Sequence, residues 1–227
     1  MLEPMLLLAI DTCGPSGSVA LGRLTGDAVE ILGQIELEGR SYSATLVAAV
    51  GELLTRSGVE LRNLAAIVAV NGPGSFTGVR VGLSAVKGLG EATRIPVVAV
   101  SRLEVLAAKV GLGSAALDAH RHEVFLRLGR PSQEVIEMLA GAVELAGIDP
   151  VGARIAVCDD AAAALLSLAW PAAELVRTPP PNAADALELC GPRVAAGEFV
   201  DVALLDGHYL RRSDAEIFGE PAAPPRL

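Results

Sequence analysis

The amino-acid sequence predicts an α/β protein built from two lobes, the second smaller than the first. The hydrophobic pattern changes from short strands to alternating helices and strands within the first hundred residues. The stretch Leu117-Asp118-Ala119 then weakly repeats Ala9-Ile10-Asp11-Thr12. A chain of 227 residues, 52% of them hydrophobic, is long enough to build a core in each lobe.

The first lobe is predicted to begin with three strands joined by tight turns. Apolar runs between turn-forming residues indicate the strands, and apolar spacings of three and four residues indicate the helices. The predicted elements are strands at 5–12, 18–22, 29–37, 65–70 and 96–100, and helices at 41–56 and 77–92. Three strands followed by helix, strand, helix and strand is the order of a ribonuclease-H-like lobe.

The second lobe is predicted to be a reduced version of the first. Its predicted elements are helices at 101–110, 160–169 and 183–195, strands at 116–119, 124–129 and 154–158, and a helical or irregular segment at 133–145. The prolines at 179–181 indicate a rigid turn or linker. The predicted domains are a first lobe at 1–101, a second lobe at 102–215 and a flexible tail at 216–227.

Composition and charge exclude several classes of protein. The formal net charge of −9 and the isoelectric point near 4.9 argue against RNA binding by this chain alone, because nucleic-acid-binding proteins usually carry a basic patch. Mean hydropathy is +0.48, yet the apolar runs are far shorter than the roughly 20 residues of a membrane span. The N-terminus lacks the basic start of a secretory signal, so we expect a cytoplasmic protein without membrane association.

The three cysteines, Cys13, Cys158 and Cys190, are odd in number and far apart. No Cys-x-x-Cys pair is present, which argues against a disulfide framework or a zinc knuckle. We therefore expect reduced and mostly buried thiols.

A glycine-rich loop is the most distinctive motif. It follows a predicted buried strand, opens a predicted helix and contains Gly72, Gly74, Ser75, Thr77, Gly78 and Arg80. Free backbone N–H groups at a helix N-terminus suit an anion, and glycines let a ligand approach the backbone closely. The spacing fits neither a Walker loop nor a dinucleotide-binding fingerprint. The pattern leaves open both a ligand or partner loop and a purely structural turn.

Other candidate sites are weaker. Asp11 and Thr12 end the first predicted strand beside a turn of small residues, where a carboxylate could hold a metal or phosphate; a turn cap is the alternative. His120 and His122 could begin a metal site, but a surface loop is favoured because no cysteine or third histidine lies nearby in sequence. Ser75 lacks the G-x-S-x-G frame of a hydrolase nucleophile, so no catalytic residue is predicted.

The glycine loop, continued through Leu83 to Lys87-Gly88-Leu89, resembles the most characteristic segment of the TsaB family, also called YeaZ. These proteins take part in threonylcarbamoyladenosine biosynthesis and are related to actin-like ATPases and to the catalytic paralogue TsaD. Ala9-Ile10-Asp11-Thr12, Leu117-Asp118-Ala119 and Tyr209-Leu210-Arg211 extend the resemblance. It is strong through residue 130 and weak from there to about 205.

The resemblance implies an actin-like fold of two lobes and a non-catalytic scaffold subunit that pairs with a TsaD-type catalytic partner. Aided by a TsaE-type ATPase, the complex transfers threonylcarbamoyl to the adenosine next to the anticodon, in tRNAs that read codons beginning with A. The complex would use ATP and magnesium and contact the tRNA. This chain would hold no metal and no tightly bound cofactor, and could form a homodimer without its partner.

The resemblance also implies that the two helices of the first lobe form the partner interface, with contacts from Tyr42, Thr45, Val79, Gly82 and Leu83. Gly78, Gly82 and Ala85 would make one helix face smooth enough for close approach, although tight packing on the chain's own sheet is the alternative. Family members often carry His-Ser-Glu where Tyr42-Ser43-Ala44 stands here, so we expect the interface around Tyr42 and Thr45 to differ in detail from that of other members.

Two enzyme hypotheses remain as alternatives. The first is a stand-alone actin-like ATPase or small kinase that binds magnesium and phosphate through Asp11, Asp118 and the glycine loop. The second is an M22-type peptidase, in line with an older label for the superfamily. That hypothesis requires a zinc-ligand cluster, for which the sequence gives little support.

Overall fold

A computed structural model of the chain describes residues 3–38, 41–129, 134–150 and 152–211. The tail predicted at 216–227 lies outside these residues. The first sheet contains β1 (Met5–Asp11), β2 (Ser16–Thr25), β3 (Ala28–Glu38), β4 (Leu64–Val70) and β5 (Val97–Val100). Its strand order is β3-β2-β1-β4-β5, with the first three strands antiparallel and β4 and β5 added in parallel.

The second sheet repeats this topology. It contains β6 (Ala115–Asp118), β7 (Val124–Leu128), β8 (Ile136–Ala140), β9 (Arg154–Val157) and β10 (Glu174–Arg177), in the order β10-β9-β6-β7-β8. The α/β fold with two related lobes is thus confirmed. The second lobe is reduced in the length of its strands, which have four or five residues, rather than in their number.

The strand β8 differs from the sequence-based expectation of a helical or irregular segment at 133–145. Its residues Glu137, Met138 and Leu139 are ordinary helix formers, so local propensity gives no strand signal. Pairing with β7, in a register from Val124 opposite Ala140 to Leu128 opposite Ile136, determines the strand. Only α4, from Ala142 to Ala146, is helical in this part of the described chain. The prediction also omitted β10.

Helices cover both faces of the first sheet. The helices are α1 (Tyr42–Arg56), α2 (Phe76–Thr93), α3 (Arg102–Ala108), α4, α5 (Asp160–Ala169) and α6 (Ala183–Ala195). Successive residues of a strand point to opposite faces. Accordingly, Gly17 of β2 lies against the Tyr42 ring of α1, while the Ser18 hydroxyl accepts a hydrogen bond of 2.8 Å from the Ala183 N–H of α6. The first lobe therefore has three layers, helix, sheet and helix.

The position of α6 corrects the predicted division of the chain. Residues 102–215 were assigned to the second lobe, but Ala183, Ala186, Leu187 and Cys190 of α6 are buried in the core of the first sheet. The chain leaves β10 at Arg177, crosses over through the proline linker and returns to the first lobe. The face of this sheet opposite α1 and α2 is apolar and needs a cover, which the amphipathic α6 supplies.

Two further expectations concern membranes and cysteines. Within the part of the chain that the structure describes, no helix has the length and apolar character needed to cross a membrane. Cys13 and Cys190 are buried, Cys158 is half-buried, and all three are free thiols. Burial raises the pKa of Cys190 to about 12, so this thiol stays protonated at neutral pH.

We expect Leu187→Ala in α6 to destabilise the protein by about 2–5 kcal/mol, because it removes a fully buried side chain between α6 and the first sheet. Leu168→Ala in α5 is the matched control: this leucine is 82% exposed, so its loss should change stability by no more than about 0.5 kcal/mol. Urea unfolding of both variants measures the difference. Equal stabilities would contradict the position of α6.

Candidate functional site

The carboxylate of Asp11, at the end of β1, is fully engaged within the chain. Asp11 is 2% exposed; its Oδ1 accepts a hydrogen bond of 2.8 Å from the Cys13 N–H, and its Oδ2 one of 3.3 Å from Arg102 Nε. Burial lowers the pKa of Arg102, but the charge interactions with Asp11, Cys13 and Cys158 and the hydrogen bond to Asp11 together outweigh it, so the net pKa is raised and the guanidinium stays charged. Asp11 thus acts as a turn cap and as half of a buried ion pair.

Glycines of the glycine-rich loop bring α2 into direct contact with the end of β1. A Cβ atom at Gly74 would collide with the Cys13 carbonyl oxygen, and one at Gly78 with that of Thr12. The Thr12 hydroxyl donates a hydrogen bond of 2.7 Å to the Gly78 carbonyl oxygen. These glycines therefore have a structural role, which was the second interpretation left open by the sequence.

The rest of the loop divides into a buried and an exposed part. Gly72 has a φ of +113°, a conformation that favours glycine, and its carbonyl oxygen accepts a hydrogen bond of 2.6 Å from the Arg102 N–H. The Ser75 hydroxyl caps α2 by accepting a hydrogen bond of 3.3 Å from the Gly78 N–H. Ser75, Thr77 and Arg80 are exposed, so these members of the predicted loop remain accessible to a ligand or a partner.

The structure corrects the predicted partner interface. Tyr42, Val79 and Leu83 are buried in the core of the first lobe, and Gly82 faces the Thr12 hydroxyl. The Tyr42 hydroxyl donates a hydrogen bond of 2.9 Å to the Gly14 carbonyl oxygen. Helical spacing alone does not distinguish the side that faces the sheet from the side that faces outward, and these four residues lie on the inner side.

Thr45 is the one residue of that predicted set that is not buried. It is half-buried, and its hydroxyl donates a hydrogen bond of 3.0 Å to the Ser41 carbonyl oxygen. The outward sides of α1 and α2 carry different residues. We call six small or apolar ones among the exposed residues the α1–α2 outer surface: Ala44, Val47, Ala48 and Gly51 of α1 and Ser84 and Gly88 of α2.

His120 and His122 lie in an exposed turn between β6 and β7. Residues His120, Arg121 and His122 all have positive φ values, of 60°, 55° and 61°. Asp118 stabilises the turn, since its Oδ1 accepts a hydrogen bond of 2.8 Å from the His120 N–H. The described residues contain no group of three or more potential His, Cys, Asp or Glu ligands for a metal. The geometry is that of a surface turn, the interpretation that the sequence favoured.

A cleft of about 950 Å³ separates the two lobes. One wall is formed by the turn after β1 and the glycine-rich loop, and the other by the ends of β6 and β9. Residues 206–211, here called the C-terminal strap, run along the cleft. The His208 N–H donates a hydrogen bond of 2.7 Å to the Asn71 carbonyl oxygen, and the Phe76 and Tyr209 rings pack 5.3 Å apart between centroids.

Glu137 of β8 joins both lobes and the C-terminal strap. Its Oε2 accepts a hydrogen bond of 2.7 Å from the Ser101 hydroxyl and lies 2.7 Å from His208 Nε2, while its Oε1 lies 2.6 Å from Arg127 Nη1. Burial raises the pKa of Glu137, but the hydrogen bonds from His208, Ser101 and Arg127 together outweigh it, and the net pKa is lowered. We call this cluster the Glu137 latch.

Sequence analysis missed Arg102 and the Glu137 latch. Arg102 lies at the start of a predicted helix, where an arginine carries no special signal, and its partner Asp11 is distant in sequence. Glu137 stands in a segment without a clear secondary-structure pattern. The only hint of the strap was Tyr209-Leu210-Arg211, noted for its resemblance to the family. Arg211 of the strap pairs with Glu123, in the residues that precede β7.

We expect Gly78→Ala to destabilise the protein by about 1–3 kcal/mol, because its Cβ collides with backbone that cannot easily move. Gly88→Ala in the same helix is the control, since a Cβ there meets no atom within 4 Å. This change should stabilise the protein slightly, by about 0.5–1 kcal/mol, because alanine favours a helix. Thermal unfolding of both variants measures the difference in stability. Similar stabilities would contradict the close contact between Gly78 and the Thr12 backbone.

We expect the Glu137 latch to weaken in acid. A carboxyl with a lowered folded-state pKa contributes stability above its unfolded pKa of about 4.3, and that contribution is lost as pH falls through the folded pKa. Glu137→Gln should therefore cost about 1–3 kcal/mol near neutral pH and reduce the loss of stability between about pH 5 and pH 3. Glu174→Gln breaks an exposed ion pair with Arg154. This variant should change neither the stability near neutral pH nor the loss of stability in acid by a measurable amount. Melting temperatures across pH test this, and parallel profiles for wild type and Glu137→Gln would refute it.

Comparison with known proteins agrees with this geometry. The family model "TsaD: tRNA N6-adenosine threonylcarbamoyltransferase" matches residues 32–146, half of the chain. The chain is 34% identical over 139 residues to the TsaB protein of Bacillus subtilis (strain 168), covering 60% of this chain and 59% of that protein. It is 36% identical over 127 residues to TsaB of Escherichia coli (strain K12), covering 53% of each. Both relatives are described as tRNA threonylcarbamoyladenosine biosynthesis proteins.

The matches to these curated relatives span a little more than half of their length. Similarity to a solved structure extends further. YeaZ from Pseudomonas aeruginosa superposes with a TM-score of 0.70 at 30% identity, covering 91% of this chain and 100% of that one. Because sequence similarity through the first lobe is joined by a shared fold along nearly the whole chain, the chain belongs to the TsaB (YeaZ) family.

Proposed function

We propose that this chain is a non-catalytic partner subunit of the complex that transfers threonylcarbamoyl to the tRNA adenosine next to the anticodon. The observation that carries the proposal is the similarity to TsaB and YeaZ proteins, which extends over 91% of the chain in the case of YeaZ. A TsaD-type protein would supply catalysis, and a TsaE-type ATPase would use ATP and magnesium. The complex would act on tRNA in the cytoplasm.

The contacts of Asp11 and the glycine-rich loop support a subunit without its own phosphate chemistry. Both Asp11 oxygens accept hydrogen bonds from the chain itself. The space beside Gly74 and Gly78 is occupied by the backbone of Cys13 and Thr12. A magnesium phosphate complex would have to displace these buried interactions. The arrangement therefore favours a scaffold over a stand-alone ATPase or kinase.

The α1–α2 outer surface is the proposed contact with the TsaD-type partner. Small residues such as Ala44, Ala48 and Gly51 allow another helix to approach closely, and the side chain of Val47 is 71% exposed. Burial of exposed apolar side chains of this kind by a partner stabilises the complex. Since the chain has a net charge of −9, the partner would provide most of the contacts with tRNA phosphates.

We expect Val47→Arg to weaken binding to the TsaD-type partner by about tenfold or more, because it places a charge in the buried part of the contact. Val143→Arg in α4 of the second lobe is the matched control, since Val143 is 82% exposed and lies outside the α1–α2 outer surface. Titration calorimetry measures both affinities. Unchanged binding by Val47→Arg would exclude this surface. Sedimentation without the partner would show whether the same variant also disrupts a homodimer.

The function itself is tested by threonylcarbamoylation of tRNA in vitro with a TsaC-type synthase, TsaD and TsaE supplied. The proposal requires that modification depend strongly on addition of this chain. Full modification in its absence would contradict the subunit role. Transfer by this chain without TsaD would contradict its non-catalytic character.

A further inference from the structure

The Arg102 side chain has unused hydrogen-bonding capacity at the base of the cleft. It is 6% exposed, its Nε donates to Asp11, and Gly14 packs directly against the guanidinium, where any Cβ would collide with Nη2. Within the described ranges, the structure records no acceptor for Nη1 or Nη2. Among the described residues, neither nitrogen is a buried atom without a partner, so both are accessible from the cleft, where a ligand or solvent can accept their hydrogen bonds.

The acidic groups of the opposite wall are already used by the chain. Asp159 caps α5 by accepting a hydrogen bond of 2.6 Å from the Ala162 N–H, and it also accepts one of 3.0 Å from the Asp118 N–H. Asp118 in turn accepts from the His120 N–H. The cleft therefore offers free donors at Arg102, while its carboxylates are engaged. A ligand that supplies acceptor oxygens fits this distribution.

Much of the remaining wall is apolar, beside the polar side chains of Ser75, His120, Arg121 and His208. Leu117 and Phe125 of the second sheet face the cleft, as do Phe76 of α2 and Leu210 of the strap. A volume of about 950 Å³ is that of a pocket for a small organic molecule. Such walls would bury an apolar body once a polar group has been fixed at the base.

We propose that the cleft between the lobes is a binding site for a small organic carboxylate with an apolar body, held end-on by Arg102. Because Asp11 takes only Nε, the edge formed by Nη1 and Nη2 is free to bind both oxygens of a planar carboxylate. This site is independent of the proposed role in tRNA modification.

A nucleoside triphosphate fits the cleft less well. No lysine is among the described residues that line it, and Arg211, at its rim, already pairs with Glu123. Asp118 and Asp159 would repel a polyphosphate, and the backbone hydrogen bonds that engage them hinder a bridging magnesium ion. A single negative charge opposite Arg102 meets much less repulsion than a polyphosphate does.

Titration calorimetry on the purified full chain tests the proposal with 3-phenylpropionate, its neutral amide and magnesium ATP. We expect 3-phenylpropionate to bind with a dissociation constant in the micromolar to millimolar range. The amide should bind at least about tenfold more weakly. Arg102→Lys keeps a charge beside Asp11 but loses the planar fork, so it should weaken carboxylate binding about tenfold or more. Arg193→Lys, outside the cleft and paired with Glu104 and Glu198, should bind as wild type does.

Circular dichroism establishes whether Arg102→Lys is folded. Leu210→Asp provides a second route, because it places a negative charge on a half-buried wall of the cleft. Leu210 also packs against the core cluster that contains Leu117 and Phe125, so circular dichroism checks the fold of this variant as well. Leu210→Asp too should weaken binding of 3-phenylpropionate. The proposal is overturned if 3-phenylpropionate does not bind, if a folded variant at Arg102 or Leu210 binds it as wild type does, or if magnesium ATP binds more tightly.

Discussion

The buried ion pair between Asp11 and Arg102 is the contact around which the two lobes are arranged. Asp11 ends the first strand of the first sheet, and Arg102 begins the first helix of the second lobe. Each charge would be strongly destabilising without the other, since leaving one partner buried alone costs about 3–5 kcal/mol. The same two residues hold the neighbouring backbone through Cys13 and Gly72. One pair therefore fixes the turn after β1, the glycine-rich loop and the passage into the second lobe.

The close contact between α2 and the end of β1 depends on this arrangement. Thr12 can reach the Gly78 carbonyl oxygen because Gly74 and Gly78 leave no side chain between helix and strand. Residues that resemble a ligand loop in sequence thus secure a helix to a sheet. As α1 is held by Tyr42 through the Gly14 carbonyl oxygen, both helices are fixed against one strand end. Their outward side chains consequently form a surface of defined shape.

Sequence patterns predicted the elements of the first lobe well because hydrophobic periodicity is a local property, and its strands are long or continuously apolar. They failed at β8, where pairing with β7 overrides helix-forming residues. The lobe against which α6 packs depends on which sheet has an uncovered apolar face. A local sequence pattern does not contain that information. At the site, the pairing of Arg102 with Asp11 and the convergence on Glu137 join residues distant in sequence. Tyr42, Val79 and Leu83 were assigned to the wrong side of their helices because periodicity defines a stripe without saying what covers it.

The lobes are connected by two clusters of buried contacts, which bears on how such a protein can work. One is the pair of Asp11 and Arg102, and the other is the Glu137 latch, which joins Ser101, the strap and the second sheet. Rotation of one lobe against the other would have to break a buried ion pair or the hydrogen bonds of Glu137. An enzyme that opens and closes its cleft around a nucleotide is poorly served by two such restraints. A subunit that contributes by presenting a surface gains from them, because the orientation of α1 and α2 relative to the second lobe is then set before any partner binds.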